Sequence, residues 1–173
     1  MKIETDLKRI EQLAEENEDE NWAFRSFLKQ LDLGRKDLDA IVHRINDEVS
    51  AQIDCTACGN CCKQIRPVLD MADVSAFADG LNIPVSEIQV NHLELHPERP
   101  SHYYFNALPC PFLSDNRCTN YDHRPQDCRS YPHLHKDDFL FRLMGVIGNY
   151  AVCPIVFNVY ERLKEELWDD QEW

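Results

Sequence analysis

Four cysteines fall within eight residues, Cys55-Thr-Ala-Cys58-Gly-Asn-Cys61-Cys62, and this run limits what the chain can become. Two cysteines separated by two residues can grip one ion, because a tight turn aims both sulfurs the same way. Gly59 lets such a turn close and leaves backbone N–H groups able to hydrogen-bond the thiolates. The adjacent pair Cys61-Cys62 adds a constraint, since neighbouring side chains diverge. Either the pair reaches two different metal positions, making this run a shared wall between two sites, or it includes one sulfur that is not a ligand. Cys62 is the candidate for that exception and for a reactive thiol.

The second half supplies four more cysteines: Cys110-Pro111, Cys118, Cys128 and Cys153-Pro154. Eight thiols make two sets of four, the number used by a tetrahedral zinc site or a four-iron cluster. The expected metal ligands are therefore Cys55, Cys58, Cys61, Cys62, Cys110, Cys118, Cys128 and Cys153. Zinc and iron–sulfur both remain open, because soft thiolates select either. Cys55, Cys58 and Cys61 reproduce the start of a bacterial ferredoxin run, and two distant Cys-Pro pairs are available, but the usual nearby fourth Cys-Pro is absent.

In a secreted chain eight cysteines would read as four disulfides. Here the sequence becomes charged within its first residues, and no apolar run has signal-peptide or membrane length. The expectation is a cytoplasmic protein whose thiols stay reduced and bind metal. The formal charge is −13. Residues 1–54 carry 8 basic and 14 acidic groups, residues 55–136 carry 7 and 9, and residues 137–173 carry 3 and 8. The ends are thus acidic and the cysteine-bearing middle nearly balanced. Acidic surfaces repel phosphate backbones, so no nucleic-acid partner is expected.

Apolar spacing predicts a mainly α fold. Ile3, Leu7, Ile10 and Leu13 mark a first helix, and Trp22, Phe24, Phe27, Leu28 and Leu31 a second, with Leu33-Gly34 as its stop. The acidic run at 15–20 reads as a solvated turn between them. Leu38, Ile41, Val42, Ile45 and Val49 form the clearest stripe, over 36–52. Asp70 reads as a helix N-cap and Gly80 as the stop, and Pro84 opens another short helix. The four prolines in 93–118 predict loop with at most a short β-hairpin. Residues 137–149 and 154–168 complete the helices, Pro154 suiting a first turn. The expected organisation is an N-terminal helical segment, 1–54, packed on a cysteine-cluster domain, 55–173, with irregular metal-bound loops.

Several residues near the cysteines are candidates for supporting roles. Lys63, Arg66, Arg124 and Arg129 could offset excess thiolate charge. His133 and His135 could ligate, though eight thiols already suffice. Tyr121 and Tyr131 read as packing residues.

Together, Cys55-x2-Cys58-x2-Cys61-Cys62, Cys110-Pro-Phe-Leu, Cys118-x2-Tyr121-x2-Arg124-Pro125-x2-Cys128-Arg129-x-Tyr131-Pro132 and the late Cys153 resemble the CxxCxxCC cysteine-cluster family of the YkgJ type, a zinc- or iron-chelating domain. The resemblance covers roughly residues 55–156 and implies that all eight cysteines belong to the metal centre. It extends distantly to flagellin lysine N-methylases, which would imply methyl transfer to protein lysines. Those enzymes are much longer, and the five glycines here form no GxGxxG loop. The expected function is metal binding with a redox or protein-modifying role; the alternative is a zinc-stabilised protein-interaction module without catalysis. Either would engage a protein partner or substrate. No Ser–His–Asp arrangement or paired-carboxylate motif assigns an enzymatic reaction.

Overall fold

The computed structural model describes residues 2–168; Met1 and residues 169–173, the end of the acidic C-terminal stretch, lie outside it. In chain order the elements begin with helices α1 (Leu7–Glu16), α2 (Glu18–Gln30), α3 (Arg35–Ser50), α4 (Cys55–Cys58) and α5 (Cys61–Gln64). Then come β1 (Val68–Leu69), α6 (Met71–Leu81), α7 (Val85–His92), β2 (Leu93–Leu95), β3 (Tyr103–Phe105), β4 (Leu113–Ser114) and β5 (Arg117–Cys118). A 3-10 turn at Tyr121–His123, α8 (Gln126–Ser130), α9 (Phe139–Tyr150) and α10 (Pro154–Leu167) complete the chain. The fold is mainly α, as expected. The strands, each two or three residues long, make a three-stranded antiparallel sheet and a separate hairpin. Among the described residues, no helix is long and apolar enough to cross a membrane.

The chain divides into two compact units: Cys55–Tyr131, and the described residues up to Asp54 joined by those from Pro132 onward. In this second, discontinuous unit, α10 packs on α3 and α9, and α9 also packs on α2 and α3. The stripe on α3 is buried through Leu38, Val42, Ile45 and Val49, and α10 contributes Ile155, Val156, Val159 and Leu163. The helix ends are satisfied by specific acceptors. Asp6 accepts the N–H groups of Lys8 and Arg9 at the start of α1 (2.9 and 3.2 Å). Asp39, on α3, reaches across to accept the N–H groups of Asp138 and Phe139 at the start of α9 (2.8 and 2.9 Å). Buried Asn158 takes the N–H of Glu4 and donates to its carbonyl, fastening the N-terminal strand of chain to α10.

Two expectations change in this unit. The acidic run is not a turn: only Asn17 separates α1 from α2, and Glu18, Asp19 and Glu20 form the first turn of α2. Carboxylates are favoured there by the exposed N–H groups of the helix start. Gly34 does not stop α2 in a left-handed conformation; its φ is −57° and it precedes α3.

The Cys55–Tyr131 unit has its own core of Leu69, Val74, Phe77, Ala78, Ile88, Leu93, Phe105 and Phe112. The Phe77 ring lies 5.2 Å from that of Phe105 and 4.7 Å from that of Phe112, in tilted and edge-on arrangements that aromatic pairs favour. Strand β3 is central, pairing Leu69 with Tyr103 and Leu93 with Phe105. Asp70 caps α6 in a reciprocal box with Asp73. The helix runs past Gly80 and stops at Asn82, which takes the left-handed conformation (φ 56°). Gly80 has another reason to be small: a Cβ there would sit 2.3 Å from Asn120 Oδ1 and 2.5 Å from the His123 ring.

Candidate metal centre

Seven of the eight cysteines lie in the Cys55–Tyr131 unit, on four separate segments. The first segment holds Cys55 and Cys58 on the single turn α4, which closes through the Gly59 N–H to the Cys55 carbonyl (3.3 Å). Gly59 is left-handed (φ 58°), and a Cβ on it would meet the Asn116 backbone at 2.7 and 2.9 Å. Asn116 in turn donates its Nδ2–H to the Ala57 carbonyl (3.4 Å). The cysteine turn therefore rests against the tip of the β4–β5 hairpin. That tip, Asp115-Asn116, has positive φ at both residues (47° and 61°), the geometry a two-residue hairpin loop demands. The hairpin places Cys118 opposite Leu113.

Helix α5 carries Cys61 and Cys62, their sulfurs 4.0 Å apart. Its start is organised by buried Asn60, whose Oδ1 accepts from Gln64 Nε2 (3.2 Å). The Cys62 carbonyl accepts the Cys110 N–H at 2.7 Å, tying the first cysteine segment to the second. Beyond Cys118, Asn120 is buried and donates to the Phe77 carbonyl (2.8 Å). Cys128 sits on α8, whose position is fixed from both sides. The Gln126 N–H donates to Asp73 (2.8 Å), and Asp127 accepts the Val68 N–H (3.0 Å). Every cysteine segment is thus hydrogen-bonded to the small core or to another cysteine segment.

The electrostatics single out one set. Burial pushes the Cys110 thiol up to about 11, and negative charge at Cys62 and Cys118 adds to the rise. Cys118 is raised by burial and by Cys62, against opposing help from the Asn120 N–H and Arg124. Cys128 is raised furthest, by burial and then by Cys62, Cys110, Asp127 and Cys118. Cys62 moves the other way, to about 7, because the Cys61 thiol donates to it and Arg124 and Lys63 stand near. Cys110, Cys118 and Cys128 therefore all lie within the field of Cys62.

None of the eight cysteines is joined in a disulfide. Among the described residues, no group of three or more His, Cys, Asp or Glu side chains stands close enough to hold a metal ion as placed. The donor set fits a thiolate-bound metal in chemistry, but its sulfurs would have to draw inward. A second observation supports the fit. Arg124 lies over the Tyr121 ring, 3.4 Å from its centroid, and its Nε and Nη1 are buried with no hydrogen-bond partner among the described residues. Two buried guanidinium nitrogens without acceptors, in a side chain whose charge acts on Cys62 and Cys118, suit anionic sulfur as a partner.

Cys153 lies in the other unit, buried at the start of α10, where its N–H donates to the Asn149 carbonyl (2.9 Å). His133 and His135 also belong to that unit, and the His133 carbonyl accepts from Arg142 (2.6 Å). Arg66 is committed elsewhere: it pairs with Glu94, donates to the Phe105 carbonyl (2.9 Å) and lies over Tyr104. Arg129 donates its Nε–H to the Arg124 carbonyl (2.7 Å). Asn116, Asn120 and Asp127, which position the cysteine segments, escape sequence reasoning because polar residues in loops carry no periodic signal.

No curated protein matches the chain, and no solved structure does. A family model does match, over residues 54–144, more than half of the chain. With its cysteine turn, vicinal pair and three following cysteines inside that span, the chain belongs to the CxxCxxCC family, described as a "putative zinc- or iron-chelating domain".

Proposed function

We propose that the Cys55–Tyr131 unit is a thiolate metal centre whose ligands divide at the vicinal pair. Cys62 would join Cys110, Cys118 and Cys128 in one set, while Cys61 would join Cys55 and Cys58 in the other. The observation that carries this reading is the tie of the Cys110 N–H to the Cys62 carbonyl (2.7 Å), joined by the charge of Cys62 acting on Cys110, Cys118 and Cys128 from three other segments of the unit. Burial keeps three of them protonated in the metal-free state, where four bare thiolates would repel. A cation compensates that repulsion, and each thiol releases its proton as it becomes a ligand. Zinc would supply a structural tie, whereas an iron–sulfur cluster would add one-electron chemistry.

The full chain, purified without oxygen, tests this by elemental analysis and absorption. Stoichiometric iron with absorbance near the ~400 nm region would assign the cluster and a redox role. Colourless protein with stoichiometric zinc would assign the structural ion and end the redox reading. Protein that binds neither metal overturns the proposal.

A second reading, a zinc-stabilised module that docks a protein partner in a reducing, cytoplasmic setting, is favoured by α9. Its outer face exposes Phe141 (73%) and Met144 (57%), apolar groups that solvent contact does not favour.

A further inference from the structure

The feature the metal-centre reading leaves unused is Arg124. Its guanidinium lies over the Tyr121 ring, and its Nε and Nη1 are buried without acceptors among the described residues. A buried donor without a partner costs free energy, and a charged one costs more. The chain holds this arrangement in place from several directions. The Arg124 N–H donates to the Tyr121 carbonyl (3.4 Å), its carbonyl accepts from Arg129, and Pro125 follows it directly into α8. Cys118 lies six residues before it and Cys128 four residues after. Surface placement of an arginine requires none of this.

We propose that Arg124 is the positioning cation of the metal centre, its Nε–H and Nη1–H donating to the metal-bound sulfurs of Cys62 and Cys118. The inference rests on the ligand set proposed above. Its physical basis is charge. Four thiolates around a divalent ion leave a net charge of two negatives, which a low-dielectric setting penalises. A guanidinium offset by an aromatic face can sit in that setting and still offer directed donors. It reduces the repulsion among the sulfurs and draws electron density from them.

The test uses the full-length chain, stripped of metal without oxygen, then titrated with zinc against a chelator and separately with cobalt(II). Arg124→Gln removes the cation, and Arg124→Lys retains the charge without the planar fork. Expected for Arg124→Gln is a roughly 10–100-fold loss of zinc affinity, the range seen when outer partners of ligands are removed. Arg124→Lys should recover part of it. In the cobalt form, the sulfur-to-metal charge-transfer band should move to longer wavelength in Arg124→Gln, with Arg124→Lys between it and the parent. A merely structural role would weaken the band without moving it. A parent chain that takes up neither metal overturns this inference, and one that also carries no iron as purified overturns the metal-centre reading with it. A parent that loads normally, beside either variant with unchanged affinity and an unmoved band, overturns this inference alone.

Discussion

The helical unit and the cysteine unit solve the same problem with different resources. Among its described residues the first has five helices of 10–16 residues, and its stripes bury aliphatic and aromatic side chains along their length. Two of the polar groups inside it are well partnered: the Tyr160 hydroxyl donates to the Asn21 carbonyl (3.1 Å), and buried Lys164 pairs with Glu20 and Glu161 (2.6 and 2.7 Å). The cysteine unit has one modest core, and its four cysteine segments are turns of a few residues. Short turns bury little apolar surface and cannot offset the cost of ordering their backbone alone. The contrast teaches that one half is held by packing along whole helices, while the other ties short turns to a small core by single hydrogen bonds, the setting in which the proposed metal would add a cross-link.

Removing metal should expose that contrast most strongly. With chelator under reducing conditions, amide exchange should become fast across residues 55–67 and 106–131, while α3 and α10 stay protected. Equal loss of protection in both units would break the comparison. Next in size is Phe77→Ala, which empties the centre of the cysteine unit's core and should cost about 3–5 kcal/mol, read from denaturant unfolding of the metal-loaded chain. Gly59→Ala should cost about 1–3 kcal/mol, because it forces a left-handed alanine against the Asn116 backbone, and metal affinity should fall with it. Tyr160→Phe, in the helical unit, removes one hydrogen bond and should cost only about 1 kcal/mol without changing metal content.

The smallest effect is a difference in reactivity within the metal-free centre. Cys62, lowered to about 7, carries substantial thiolate at neutral pH, whereas Cys110, raised to about 11, does not. Alkylation at pH 7 should therefore label Cys62 well before Cys110. Above pH 8 the Cys62 rate should level off while the Cys110 rate keeps rising. Equal rates at pH 7 would remove the electrostatic argument that groups these thiols.

What the sequence made legible follows the same division. Helix α3 and its buried stripe could be read from spacing, as could Pro154 opening α10, because long amphipathic periods repeat a single signal. The Asp70 cap was legible too, since capping is a local hydrogen bond between residues three apart. The return of α9 and α10 to the N-terminal helices was not, because partner choice between apolar stripes depends on shape and on ties such as Asp39 to Asp138. Nor was the end of α6. Gly80 carries the usual stop signal, but its missing side chain serves the approach of Asn120 and His123, and Asn82 turns the chain instead. At the centre, the vicinal pair could be read as a divide between two sets. The grouping of Cys62 with Cys110, Cys118 and Cys128 required knowing which loops pack beside α5.

The helical unit is built from both sides of the cysteine unit, and this has a consequence for synthesis. Tyr131 closes the cysteine unit before the chain through the end of α10 at Leu167 has been translated. At ribosomal speeds that interval lasts about 2–7 s. During it, helices α1 to α3 expose apolar surface that α9 and α10 will cover, whereas the thiols of Cys55–Tyr131 are already complete as a group. Ion capture by the nascent chain can therefore precede closure of the bundle, making metal supply an early event in biogenesis rather than a finishing step.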